Sequence, residues 1–567
     1  MVFRKSNSKA FFLVFLLWSV VVNSYAREIY WPEGLEFNSK NIQFIHRGNS
    51  NVTIRFSRQT EIGGNPLVVN ENISLFFTDQ GQLVIGPNEA IHINGIVQAQ
   101  RKRIFINANT SDDLPEIKFG RLRDFYPEWW GVVPNVKPQS PWNNYENVRQ
   151  MMLDLRNSNG GHLHFAEGIY FIRDLIIDFS NLTVSGAGNK TILKYDDRLN
   201  SLVTTTRQGQ IVAVRGPSRE GKLMGNWHWA IDEQIENVTI KDISIIYEHR
   251  NKKAFDPLLN GLVVMNAKDI KIENVKINLS GGNRGIYIGA WLSNEQTENI
   301  IIRRCEIREC LTGIFITHGA KTYGKTRKNR VLSDVLVQEC RIYVQRSKVD
   351  RSPSGYSSGV YIHGSVNDNE ITSNAGKIQI VNNEIQNADI GVRLEFPVTV
   401  IIRDNLISAF KFCGISGLFK DCTILGNYFD THSLQNAGLF NYNNAAINLR
   451  ANALDGDDRR SNALDVTGNI FHNISSERGG PISHTIFVMP TTSNLITIVD
   501  NSFKYEGAAN SRSIPLSDIK CWVDGGKRPL SQSTLIHSGN KIHEGQKSLR
   551  LSITGRNAAK FSVKSKE

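Results

Sequence analysis

One short pattern recurs from about residue 235 onward and leaves few folds open to the chain: apolar, any, apolar, two polar residues, asparagine, then apolar alternation. It reads IKIENVKIN, IQIVNNEIQ, VIIRDNLIS, TILGNYFDT, DVTGNIFHN and TIVDNSFKY. Aligning the copies puts Asn274, Asn383, Asn405, Asn427, Asn469 and Asn501 in one column, which Asp242, Cys305 and Cys340 fill in IKDISI, IRRCEI and VQECRI. The closest spacing is about 22 residues, the length of one coil of a β-solenoid. A helical solenoid does not fit, because the segments alternate with period 2, are rich in Val and Ile, and are broken by Gly and Asn. An asparagine at a fixed point of each coil can stack its amide on the next and bond along the axis, so the column predicts a structural ladder rather than a glycan contact.

A second strand follows in each coil and begins near a glycine: GIYIGA, GIFITHG, GVYIHG, GVRLEF, GISGLF, AINLRA and TIFVMP. Its in-facing positions are nearly all aliphatic, which turns the alternate residues outward. One outward column reads Tyr287, Phe315, Tyr361, Arg393, Ser416, Asn448, Phe487, and the next reads Gly289, Thr317, His363, Glu395, Leu418, Arg450, Met489. Neighbouring coils lie about 4.8 Å apart. Tyr361, His363, Arg393 and Glu395 are therefore expected to form a two-by-two patch, with Asn448 and Arg450 farther along. On a lone strand, Arg393 and Glu395 would be a solvated ion pair. Beside a tyrosine and a histidine on a rigid sheet they are a candidate catalytic unit.

The segments FYPEWWGV, NYENVRQMMLDL, GGHLHFAEGIYFIRDLII and NLTVSGAGNKTILKYD follow one another between about residues 120 and 200. This run resembles the opening of the pectin-lyase-like β-helix proteins, with their PEWFGA turn, capping helix, glycine-led strand and first coil. The resemblance implies an all-β fold, a right-handed parallel β-helix with an N-terminal capping helix. It says little about activity, since such proteins include polysaccharide lyases, glycoside hydrolases, epimerases and phage tailspikes. The acidic segment that commonly follows the turn is replaced here by VVPNVKPQSPWNNYEN, so no acidic residue is carried over from it. Within the helix, Val148, Met151, Met152 and Leu155 share one face and Gly160-Gly161 ends it, as expected of an element that shields an open coil from edge pairing.

Arg4, Lys5 and Lys9 precede the apolar run AFFLVFLLWSVVV and the small residues Ser24 and Ala26, the pattern of a secretory signal peptide over 1–26. No later apolar run is long enough to span a bilayer, so a secreted or periplasmic protein is expected. Residues 27–125 read as a small strand-rich N-terminal β domain, 126–545 as the β-helix and 546–567 as a basic tail. Six cysteines in 567 residues do not make a disulfide scaffold. The net charge of +12 suits an acidic partner, and an exported protein without helix-turn-helix, zinc or RNA-binding signatures points to an anionic polysaccharide rather than nucleic acid.

The inserts beside the patch are basic, with Lys321, Lys325, Arg327, Lys328 and Arg330 after GIFITHG and Arg346, Lys348 and Arg351 before GVYIHG. With Asn448, Arg450 and His318 they are expected to draw in a polyanion, and Trp291, Trp227, His228 and Trp229 could line sugar subsites. A lyase acting on a uronate chain needs a cation for the carboxylate, a base and an acid. Arg393 suits the first, His363 and Tyr361 the others, and Glu395 would orient them. No carboxylate cluster supports calcium, so no cofactor is expected. A hydrolase would need a second carboxyl group with Glu395, from Asp368, Glu370, Asp389 or the run Asp455 to Asp458. A non-catalytic adhesin would keep the basic groove alone.

Overall fold

The structure is a computed structural model that describes residues 27–45, 51–108, 114–136, 141–172, 175–195, 210–215, 234–248, 256–290, 296–317, 331–345, 356–363, 376–395, 399–419, 421–431, 445–451, 462–474, 484–489, 494–504, 517–522, 534–543, 551–554 and 562–565. The proposed signal peptide lies outside them. Among them no helix is long and apolar enough to cross a membrane. The chain divides into two compact units, one of residues 1–132 with 149–158, the other of 133–148 with 159–567.

The first unit is itself a short three-sided coil of parallel strands. One side is Arg27–Tyr30, Val52–Phe56, Ile73–Phe77 and Val97–Ala99; a second is Phe37–Asn38, Gln59–Gly63, Gln82–Ile85 and Phe105–Asn107; the third is Leu67–Val69, Ala90–Ile93 and Glu116–Phe119. Phenylalanines fill it as a column, with Phe37, Phe56 and Phe77 at centroid separations of 5.0 and 5.1 Å. Helix Pro141–Asn157 buries Val148, Met151, Met152 and Leu155, the face read from sequence. Its second half closes the edge strand Glu116–Phe119: Ile117 N donates to Asp154 Oδ1 (2.9 Å) and Phe119 N to Ser158 Oγ (3.0 Å). Side chains thus take up two backbone donors that would otherwise lie open on the edge.

The second unit is a parallel β-helix of three strand rows, right-handed as parallel crossovers are. In the coil around residue 390 the rows are Ile378–Val381, Glu384–Gln386 and Ile390–Leu394, paired to Thr399–Arg403, Leu406–Ser408 and Cys413–Phe419 of the next coil. Pairing continues to the C-terminal strands Leu551–Thr554 and Ser562–Ser565, in the stretch read from sequence as a tail. Aliphatic columns line the interior; one runs Ile286, Ile314, Val360, Val392, Ile415, Ile447, all fully buried.

The asparagine ladder stands between the first two rows. Asn383, Asn405, Asn427 and Asn469 each donate Nδ2–H to Oδ1 of the next member, at 2.9, 2.9, 3.0 and 3.0 Å, and Asn501 extends the series to Asn540 at 3.1 Å. Two members of the expected column belong elsewhere. Asn274 and Asp242 sit one residue earlier in the turn, at φ of 53° and 55°, and Val275 and Ile243 occupy the buried ladder position. The displaced pair keep company with Asp404 and Asp500, at φ of 56° and 54°. Asn and Asp tolerate the left-handed conformation, so the same residue types recur at two adjacent positions for different reasons.

Glycines lead the third row because adjacent coils approach closely there. A Cβ on Gly359 would meet the Ile385 side chain and lie 2.6 Å from the Gly391 carbonyl oxygen. Little but glycine fits without moving the coils apart.

Candidate active site

The third row carries both outward columns in the expected register: Tyr287, Phe315, Tyr361, Arg393, Ser416, Asn448 and Phe487 pair in succession, and Gly289, Thr317 and His363 beside them. Glu395 follows directly, its N donating to Ile362 O at 2.8 Å. Gly417, paired with Leu394 at φ 138°, lets the next strand pass close to the Leu394 carbonyl, where a Cβ would collide.

The four patch residues meet on one carboxylate. Tyr361 donates its hydroxyl to Glu395 Oε2, and Arg393 donates from Nη2 to Oε1. His363 Nε2 lies 3.8 Å from Oε2, while its Nδ1 lies 3.2 Å from Thr317 Oγ1. The Arg393 guanidinium also covers the Tyr361 ring at 4.5 Å, an arrangement that adds cation–π attraction to the ion pair. Of the charged side chains here, Glu395 is 34% exposed and Arg393 only 15%. Glu395 is thus the more accessible partner, and Arg393 is not the free fork that sequence anticipated.

Burial shapes the titration. It pushes the Tyr361 phenol well above its usual value, with Arg393 opposing and Glu395 adding to the rise. It pushes His363 down, helped by Arg284 and Arg393 and opposed by Glu395. At neutral pH the ring is therefore an uncharged acceptor and the phenol a proton donor.

Outward does not mean exposed. Tyr287 and Phe315 are 0% and 4% exposed and pack with Ala213, Val263 and Met265, so they are a floor and not sugar platforms. Phe315 supports the pair above it, 5.0 Å from the Tyr361 ring and 5.6 Å from His363. Asn448 is likewise buried, two register positions from Arg393. Asp389 is 1% exposed and holds a turn: Ser357 N donates to Oδ2 and Asp389 N donates to Ser357 Oγ, both at 2.9 Å. A carboxylate committed to that turn is poorly placed to act on a substrate. The side chain of Arg450, with Trp227, His228, Trp229, Trp291, His318, Lys321, Lys325, Arg327, Lys328, Arg330, Arg346, Lys348, Arg351, Asp368, Glu370 and Asp455 to Asp458, lies outside the described residues.

Sequence reading missed Arg284. It stands in the third row, in the column that runs Gln210, Asn260, Arg284, Thr312, Ser358, Ile390 and Cys413, the one charged residue among these. Its guanidinium lies 4.1 Å from the Phe315 ring centroid and 5.2 Å from that of Tyr287. An arginine in a column otherwise without charge was the available signal.

No family model and no curated protein matches the sequence. Among solved structures the chain is similar to the Agl-KA catalytic domain (13% identity, 78% of this chain and 68% of that one, TM-score 0.47). It is similar also to PfbA, a surface adhesin of Streptococcus pneumoniae (14%, 78% and 93%, 0.43), and to the lid-deleted DFA-IIIase from Arthrobacter chlorophenolicus A6 (13%, 78% and 98%, 0.45). Likeness at this level concerns fold alone.

Proposed function

We propose that this pectin-lyase-like β-helix is an exported polysaccharide lyase that cleaves a uronate-containing chain by β-elimination. The observation that carries the reading is that the Tyr361 hydroxyl donates to Glu395 Oε2 while His363 Nε2 lies 3.8 Å from the same oxygen, in a setting where burial favours a neutral ring and a protonated phenol. In the reaction His363 takes the C5 proton. The C5–H electron pair becomes the C4=C5 double bond as the C4–O bond breaks, and Tyr361 gives its proton to the departing glycosidic oxygen. Until then Glu395 holds the phenol by a hydrogen bond that breaks as the proton turns to the leaving oxygen; Glu395 also faces the imidazole, and Arg393, paired with Glu395 and lying over the Tyr361 ring, offsets the charge of the phenolate left behind. The buried ring cluster beneath keeps acid and base in place without cost at the moment of reaction.

A second reading is a glycoside hydrolase with Glu395 as nucleophile, favoured by the two donors aimed at its carboxylate. That chemistry requires another carboxyl about 5 to 9.5 Å away. Asp389 is committed to its turn, and the other candidates lie outside the described residues. Incubation with pectic, alginate, glycosaminoglycan and sulfated algal chains decides the matter. An ultraviolet-absorbing unsaturated product is expected; reducing ends released without it would mean hydrolysis, and neither product would leave a glycan-binding protein.

A further inference from the structure

Among the described residues, the charge count around the patch leaves one cation over. Arg393 is neutralised by Glu395. Tyr361 and His363 are uncharged. Arg284 has rings beneath it and no acidic partner among the described residues; burial lowers its proton affinity, with the phenols of Tyr287 and Tyr361 opposing. Its side chain is only partly exposed. A guanidinium in that setting has given up much of its hydration without gaining an anion in return, and an oxyanion placed on its fork would recover the loss.

We propose that Arg284 is the receptor for the substrate's oxyanion substituent, seating one carboxylate or sulfate ester of a pyranose ring beside Tyr361 and His363. The inference rests on the lyase reading for what happens next, since an anion fixed here sets the neighbouring C5–H within the reach of the base. It does not need the reaction in order to be seen. The Arg284 guanidinium lies over the Phe315 ring, 4.1 Å from its centroid, and among the described residues no hydrogen bond takes up its N–H donors, which a carboxylate or sulfate could engage in two parallel bonds. Arg393 is less suited to the role, since its charge is already paired with Glu395 and its side chain is only 15% exposed.

Monosaccharides separate binding from chemistry, because they carry no glycosidic bond at C4 to eliminate. Methyl glucuronoside, methyl galacturonoside and glucose 6-sulfate should each raise the melting temperature of the full chain, by mass action on the folded state, where the neutral methyl glycosides do not. The uronosides against the sulfate ester tell which oxyanion the site takes. Arg284→Gln should weaken the anionic sugars by about tenfold or more, and Arg284→Lys, which keeps charge but not the fork, should fall between. Near-ultraviolet circular dichroism checks that the aromatic floor is intact. An anion-specific shift that survives Arg284→Gln, or none in the wild type, overturns the proposal. Unsaturated product formed by Arg284→Gln at the wild-type rate would remove the receptor and leave the lyase. Arg284-dependent binding with no such product from any uronan would remove the lyase and leave the receptor.

Discussion

Tyr361 donates its hydroxyl to Glu395 across the gap between adjacent coils, so the proposed acid and its holder come from different turns of the solenoid. Arg393 reaches the same carboxylate from two residues away on its own strand. Groups joined in this way act as a unit, and their losses should not add. Tyr361→Phe and Glu395→Gln are each expected to lower kcat on the order of a hundredfold, and the double variant to lose little more. Steady-state kinetics on the three proteins checks this; multiplicative losses would mean that the hydrogen bond is incidental to turnover.

The ladder makes a prediction about stability. Asn427 Oδ1 accepts from Asn405 N at 3.0 Å and Nδ2 at 2.9 Å, and its own Nδ2 donates to Ile402 O at 2.9 Å. Asn427→Gly strips buried backbone groups of partners and should cost about 2 to 4 kcal/mol in denaturant unfolding. Asn274→Gly should be tolerated, because Asn274 stands at positive φ, where glycine is at ease. Equal costs would remove the distinction between the two asparagine positions.

What could be read from the chain was whatever repeats locally. Period-2 alternation was enough to put Tyr361, His363, Arg393 and Glu395 on one face, and the recurring glycine was enough to put them in register. The off-by-one placement of Asn274 arose because the ladder and the left-handed turn favour the same residue at neighbouring positions. The pairing of Arg393 with Glu395 was hidden for another reason: a column shows which way a side chain points, not where its tip ends. Arg284 was passed over because its reach onto Phe315 runs across coils. The N-terminal strands were legible as strands, but their parallel pairing joins segments about two dozen residues apart, and no local signal states it.

Asp154 gives the N-terminal unit a pH dependence. Fully buried, it is pushed up from 3.8 to about 8 by loss of solvent, against hydrogen bonds from Gln150, Ile117 N and the Trp130 indole that lower it. A raised carboxyl holds its proton in the folded state after the unfolded chain has released it. Folding stability should therefore fall as pH rises from about 4 to 8, and level off above. Asp154→Asn should flatten that slope in denaturant melts taken across the range. A slope unchanged by the substitution would assign it to other groups.

The last prediction concerns His363, whose neutral ring the proposed elimination requires. Burial lowers its proton affinity below the ordinary value of 6.5, and the cations Arg284 and Arg393 lower it further, while the Glu395 carboxylate raises it. As pH falls through that depressed value the imidazole gains its proton and can no longer accept one from C5, so the acid limb of kcat/KM should lie below pH 6.5. The neighbours then give shifts of opposite sign. Arg393→Gln removes a repelling cation and should move the limb to higher pH; Glu395→Gln removes an attracting charge and should move it lower. Both variants will turn over slowly, so the same shifts are best followed in the nuclear magnetic resonance titration of the His363 ring protons, which needs no turnover. Should the ring titrate alike in the wild type and both variants, His363 would not sense this cluster, and the base would have to be sought elsewhere on the sheet.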